Sequence, residues 1–361
     1  MTAADPPPPY TAQMAATGES SRVLLALSWL VVGAAMVAVP VWLGWTRWEP
    51  ILNAHPLMLA LGLLLLLLGL VAVACSIAAL VLGDRAHGED RPRLTPGQQR
   101  RRAGRRLALG VPPLLVGLLA VGLLGWARPL PATAVALAAM RSADDVRVVD
   151  RLTWYEMTSV AQDSEGEVVR PVTGLVFSPG ARVDSRAYAH LLRPLAKAGY
   201  LVVVLKEPLG IAFADPGHAE RVMRVHPQIA TWVVGGHSLG GVAASSFADA
   251  HPQVGGAPVA GLVLYASYPA GPLARADVTV LSVSGDLDRL TTPGDVAKAR
   301  DELPPDTRYL VVPGAVHSDF GDYGRQPGDG TPTVDRAVAQ AAIAKATARL
   351  LADVTPKPRK K

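Results

Sequence analysis

The residues that could do chemistry in this chain are Ser238, Asp288 and His317. Ser238 sits in Gly236-His237-Ser238-Leu239-Gly240, after a β-branched and aromatic run (Thr231, Trp232, Val233, Val234) and before an alanine-rich helical pattern. G-x-S-x-G between a strand and a helix makes a turn so tight that side chains two residues either side of the serine would collide across it. The turn exposes the hydroxyl, and the following helix aims its first N–H groups at the site. A serine is a poor nucleophile at neutral pH, so it needs a base, and the base needs an orienting acid. Asp288 ends VTVLSVSGDLD and His317 ends RYLVVPGAVH, each just beyond a strand pattern. Serine, acid and histidine at three strand ends point to acyl transfer through an acyl-enzyme.

Some neighbours compete for these roles. Asp286 is a second candidate for the acid, and either aspartate could form a turn after Gly285. His190, His218, His226 and His251 do not follow a late strand and are expected to be surface or structural, with His237 part of the turn. The developing oxyanion needs two backbone N–H groups. One is expected from Leu239, directly after the nucleophile. The other is assigned to Ala181, in the Pro179-Gly180-Ala181 turn after GLVFS.

Positioning these residues requires a sheet. From Val146 onward short apolar runs alternate with helical patterns: VRVVD, LTWYEM, GLVFS, YLVVVL, TWVVG, GLVLYAS, VTVLSVSG and RYLVVPG. Apolar runs separated by helices predict an α/β fold, a mostly parallel buried sheet flanked by helices, over residues 146–352. Residues 268–277, between two late strands, are too few for a large lid.

The first third has a different character. Residues 1–21 are small and polar and are expected to be disordered. Residues 22–126 are expected to be a membrane anchor, a bundle of three transmembrane helices at about 23–45, 56–82 and 107–126, each reaching the roughly 20 residues that cross a bilayer core. The loop 84–106 holds Arg85, Arg91, Arg93, Arg100, Arg101, Arg102, Arg105 and Arg106, whereas the loop after the first span holds only Arg47. The positive-inside rule then predicts a cytoplasmic 84–106 loop and an extracytoplasmic catalytic domain. Residues 127–145 read as a tether carrying a short alanine-rich helix, and 353–361 as a basic tail. The spans lack the ionisable groups that transport would need, so they read as an anchor in the cell membrane.

A single cysteine, Cys75, excludes an internal disulfide and cysteine-rich zinc sites. The net charge of +5 is gathered in the arginine loop and the tail, and no aromatic-and-basic face suggests nucleic acid. No cofactor and no metal is expected. The expected partners are the lipid bilayer and a small-molecule or lipid-like acyl substrate.

SPGARVDSRAYAHLLRPLAKAGYLVVVLKEPLGIAF (178–213), GGHSLGG (235–241), SGDLDRLT (284–291) and PGAVHSDFGDYG (313–324) together resemble the small, dienelactone-hydrolase-related α/β-hydrolases of bacterial envelopes. The resemblance covers about residues 146–351 and leaves the spans outside it. It implies an α/β-hydrolase fold, a triad of Ser238, Asp288 and His317, and oxyanion positions at Ala181 and Leu239. The nucleophile departs from dienelactone hydrolases proper, where it is cysteine, so their substrate class is not implied. The expected activity is hydrolysis of a carboxylic ester or thioester. Acyl transfer to an envelope sugar or lipid would use the same triad, and a hydrolase-like binding protein is a third reading.

Overall fold

The structure is a computed structural model and describes residues 9–85 and 95–357. It divides into two compact units: Met1–Trp48 with Leu59–Arg128, and Glu49–Met58 with Pro129–Lys361.

The first unit holds most of three long helices, α1 (Pro9–Leu52), α2 (Pro56–Arg85) and α3 (Pro96–Trp126). Each contains a stretch long and apolar enough to cross a membrane: Arg22–Leu52, Pro56–Leu82 and Arg100–Trp126. α1 and α2 approach closely at glycines. A Cβ on Gly69 would lie 2.8 Å from the Gly33 carbonyl oxygen, which only a small-residue contact permits.

Two expectations need correction here. Residues 9–21, expected to be disordered, extend α1 back to Pro9. A segment joined to an already formed helix propagates it without a new nucleus. Residues 1–8 lie outside the described residues. The arginine loop is shorter than 84–106, because α3 begins at Pro96. Thr95 and Gln98 form a reciprocal capping box there, Pro96 occupies the first turn, and arginine is a good helix former. Of the loop, residues 86–94 lie outside the described residues.

The second unit begins with α4 (Ala134–Ala139), β1 (Val146–Asp150), β2 (Trp154–Ser159), β3 (Thr173–Ser178), α5 (Ala189–Lys197) and β4 (Leu201–Leu205). It continues with α6 (His218–Arg224), β5 (Thr231–His237), α7 (Leu239–Ala250), β6 (Gln253–Val254), β7 (Ala257–Tyr265) and β8 (Thr279–Gly285). It ends with α8 (Pro293–Lys298), β9 (Arg308–Val312) and α9 (Arg336–Val354). The strand order is β1-β2-β4-β3-β5-β7-β8-β9, with β6 paired on β7. From β4 to β9 every neighbour along this path is parallel, while β1, β2 and β4 pair antiparallel at one edge. This is the α/β-hydrolase arrangement of a mostly parallel sheet flanked by helices. Two apolar layers cover its faces. One is built on Leu175, Phe177, Leu192 and Tyr265 with α5 and α9; the other on Val176, Val203, Trp232 and Leu264 with α6 and α7.

The expected tether is not a free linker. Leu130 N–H donates to the Arg182 carbonyl at 2.7 Å, Asp184 N–H to the Leu130 carbonyl at 2.9 Å, and Thr133 N–H to the Asp322 carbonyl at 2.7 Å. Residues from Pro129 belong to the second unit. The reason is pairing: Leu130 adds a parallel bridge beside Val183, which composition cannot reveal. Glu49 also belongs to this unit, and its carboxylate accepts from Arg186 Nη1 at 3.0 Å. The tail is helical to Val354, and residues 358–361 lie outside the described residues.

Candidate active site

Ser238 is the residue on which β5 turns into α7. Its backbone is left-handed, φ 52° and ψ −124°, a strained conformation for a side-chain-bearing residue. The glycines permit it. A Cβ on Gly236 would meet the Gly240 carbonyl carbon at 2.3 Å, and one on Gly240 would meet the Ser178 carbonyl oxygen at 2.1 Å. The turn is pinned from the neighbouring strand: Ser238 N–H donates to the Tyr265 carbonyl at 2.9 Å, and Ser267 Oγ donates to the Ser238 carbonyl at 2.7 Å. Ser238 remains partly exposed, and so reachable.

Asp288 and His317 are brought together from the ends of β8 and β9. His317 Nδ1 donates to Asp288 Oδ2 at 2.8 Å, with the two residues 1% and 2% exposed. Asp288 Oδ1 accepts from the N–H groups of Leu290 and Thr291, both at 2.8 Å. Three donors on one carboxylate hold it as an acceptor and fix the ring with Nε2 free of that bond. Asp286 faces elsewhere. Its Oδ1 accepts from Gly314 N–H at 2.6 Å, closing the turn after β9. The His317 ring lies 4.5 Å, centroid to centroid, from that of His237, the residue before Ser238.

The two expected oxyanion donors sit at the start of α7 and in the turn after β3. Leu239 is the first residue of α7, where an N–H has no intrahelical acceptor. Ala181 follows Gly180, whose N–H donates to Tyr188 Oη at 2.9 Å and whose carbonyl accepts from Val183 N–H at 3.0 Å. Both Ala181 and Leu239 are partly exposed.

Several supporting residues escaped the sequence reading. Asp329 holds the His317 loop by its backbone, accepting from His317 N–H at 3.1 Å and Ser318 N–H at 2.8 Å. Asp319 accepts from Val316 N–H at 2.9 Å and pairs with Arg336 of α9. His237 is fully buried and its Nδ1 lies 2.9 Å from Tyr188 Oη. Burial, with His317 adjacent, holds the proton affinity of His237 well below the ordinary histidine range. A second polar group, Ser178, Glu207 and His218, lies at the ends of β3 and β4. Ser178 Oγ donates to Glu207 Oε1 at 3.1 Å, and His218 Nδ1 lies 3.3 Å from Glu207 Oε2. Burial raises the Glu207 pKa above its ordinary value against the pull of His218. The sequence carries a signal for some of these residues: Ser178, Tyr188 and Glu207 fall in the motif segment 178–213, His237 in 235–241 and Asp319 in 313–324, whereas His218 and Asp329 lie outside them. Among the described residues no cluster of His, Cys, Asp and Glu is arranged to hold a metal ion.

Residues 174–341 match the Alpha/beta hydrolase family. Solved structures similar in fold include a putative dienelactone hydrolase from Klebsiella pneumoniae, with 16% identity, a TM-score of 0.39, and 55% of this chain and 92% of that one covered. Others are a ferulic acid esterase from Streptomyces cinnamoneus (16%, 0.42, 57% and 84%) and a putative hydrolase from Agrobacterium vitis (13%, 0.42, 58% and 100%). No curated protein matches the sequence.

Proposed function

We propose that this protein, whose C-terminal unit belongs to the alpha/beta hydrolase family, is a membrane-anchored serine hydrolase that cleaves a carboxylic ester or thioester. The observation that carries the reading is the buried 2.8 Å bond between His317 Nδ1 and Asp288 Oδ2, at the strand ends beside the Ser238 turn. Ser238 Oγ attacks the carbonyl carbon and its proton passes to His317 Nε2. The Asp288 carboxylate stabilises the imidazolium and keeps the ring turned for the transfer. The Ala181 and Leu239 N–H groups take the oxyanion. As the tetrahedral adduct collapses, the leaving alcohol or thiol takes the proton from His317 and an acyl-Ser238 ester remains. Water, deprotonated by His317, attacks that ester, releases the acid and restores Ser238. None of these steps requires a metal or an organic cofactor.

The three apolar helices support an anchor, and the arginines before and within the first turns of α3 support a cytoplasmic loop with the catalytic unit outside. A fluorophosphonate probe is expected to label the purified full-length protein and to leave Ser238→Ala unlabelled. Equal labelling of both would dispose of the mechanism.

A further inference from the structure

The hydrogen bonds behind the Gly180 turn favour one arrangement of the protons on Tyr188 and His237. Tyr188 has a single hydroxyl proton. Its oxygen accepts from Gly180 N–H at 2.9 Å, so the hydroxyl proton is directed to its other partner, His237 Nδ1, at 2.9 Å. Nδ1 is therefore an acceptor, and a neutral His237 carries its proton on Nε2. That Nε2 is buried with no hydrogen-bond partner among the described residues. The one influence that favours a proton on the ring comes from the backbone of His317.

The chain Gly180–Tyr188–His237 joins two halves of the candidate site. At one end is the turn that carries Ala181. The Gly180 carbonyl is held by Val183 N–H at 3.0 Å, and in a planar trans peptide this fixes the direction of the Ala181 N–H on the opposite side. At the other end, His237 is bonded directly to Ser238. The fit between the two is close, since a Cβ on Gly180 would lie 2.7 Å from His237 Nδ1. The His237 ring stacks on Phe320 at 5.9 Å and faces Tyr323 at 6.1 Å, both from the His317 loop.

We propose that Tyr188 and an Nε2-protonated, neutral His237 are positioning residues that keep the oxyanion turn in register with the nucleophile, without touching substrate. The idea rests on the reading of Ser238 as nucleophile. Its electrostatic sense is simple. His317 must become an imidazolium during the reaction, and a second charged imidazole beside it would oppose that. A buried ring, held neutral by its surroundings, supplies the same geometry without the charge.

The test uses the full chain in detergent, with nitrogen-15 histidine and the variant Tyr188→Phe. In the wild type, His237 is expected to show the Nε2–H tautomer and to stay neutral from about pH 5 to 8. In Tyr188→Phe that tautomer preference is lost. Turnover of a short p-nitrophenyl ester falls about tenfold or more with KM unchanged, and the rate of fluorophosphonate labelling falls in parallel, because both depend on the oxyanion turn. An Nδ1–H tautomer in the wild type overturns the proposal, and so does a folded Tyr188→Phe that keeps kcat within about twofold. The tautomer is read without any variant, so a misfolded Tyr188→Phe leaves a decisive measurement. A wild-type protein that takes no label would instead sink the Ser238 reading, leaving the tautomer result intact.

Discussion

Two aspartates two residues apart do different work, and the difference can be measured. Asp288 carries the His317 ring, whereas Asp286 closes the turn at Gly314. Asp288→Asn keeps the shape but offers the wrong hydrogen-bonding partner to Nδ1, and ester turnover is expected to fall by about 10³- to 10⁴-fold. Asp286→Ala should leave turnover within a fewfold of wild type and cost about 1 kcal/mol, read by denaturant unfolding, because the Gly314 N–H loses its acceptor. A reversal of these two phenotypes would reassign the acid. Glu207 allows a test of burial. Its pKa is raised chiefly by burial, so the folded state holds the proton more tightly than the unfolded chain. Stability therefore falls as pH rises through the window between the ordinary glutamate value and the raised one, and the full penalty is present above it. Glu207→Gln removes the ionisation and can keep the bonds to Ser178 and His218. Its thermal midpoint should exceed that of wild type at about pH 8 and match it at about pH 4. A Glu207→Gln protein that is less stable at both pH values would show that the carboxylate itself is needed.

Among the elements, the ones easiest to read were those under a local constraint. The turn at Ser238 needs glycine at fixed offsets. The inner parallel strands β3, β4, β5, β7 and β8 are mostly buried on both faces, leaving continuous apolar runs, while the edge strand β9 left a short one with part of it open. Asp288 and His317 were legible because they end such runs. Tyr188 and His237 were not, because their bond joins positions 49 residues apart and nothing local demands it. Asp329 was hidden for the same reason. It looks like a turn former in a Gly-Asp-Gly sequence, yet it clamps the backbone at His317 and Ser318. The start of α3 was missed for a local reason. The arginines drew attention to charge, while the Thr95–Gln98 cap that sets the boundary went unread. In the first unit, Gly33 and Gly69 let α1 and α2 approach backbone to backbone. Gly69→Leu puts a branched side chain where even a Cβ has no room. The expected result is a less heat-resistant membrane region, seen as earlier aggregation of the detergent-solubilised protein on heating, with the active-site labelling rate unchanged at low temperature. Unaltered aggregation would mean that the two helices do not need this contact.

For the whole molecule, the first prediction is an address. A reporter enzyme fused after Lys361, active only when exported, should be active, and a cytoplasm-dependent reporter at the same place should be silent. The reverse pattern would overturn the orientation. The other consequence at this scale concerns time. The second unit takes Glu49–Met58 from one part of the chain and the rest from Pro129 onward, with all of Leu59–Arg128 between. A ribosome makes the first piece, then the rest of α2 and α3, and only afterwards the Arg186 segment that this piece meets. The Glu49–Arg186 pair can therefore form only after α2 and α3 have been made. A chain cut to begin after Arg128 would lack Glu49–Met58, and with it the carboxylate that pairs with Arg186.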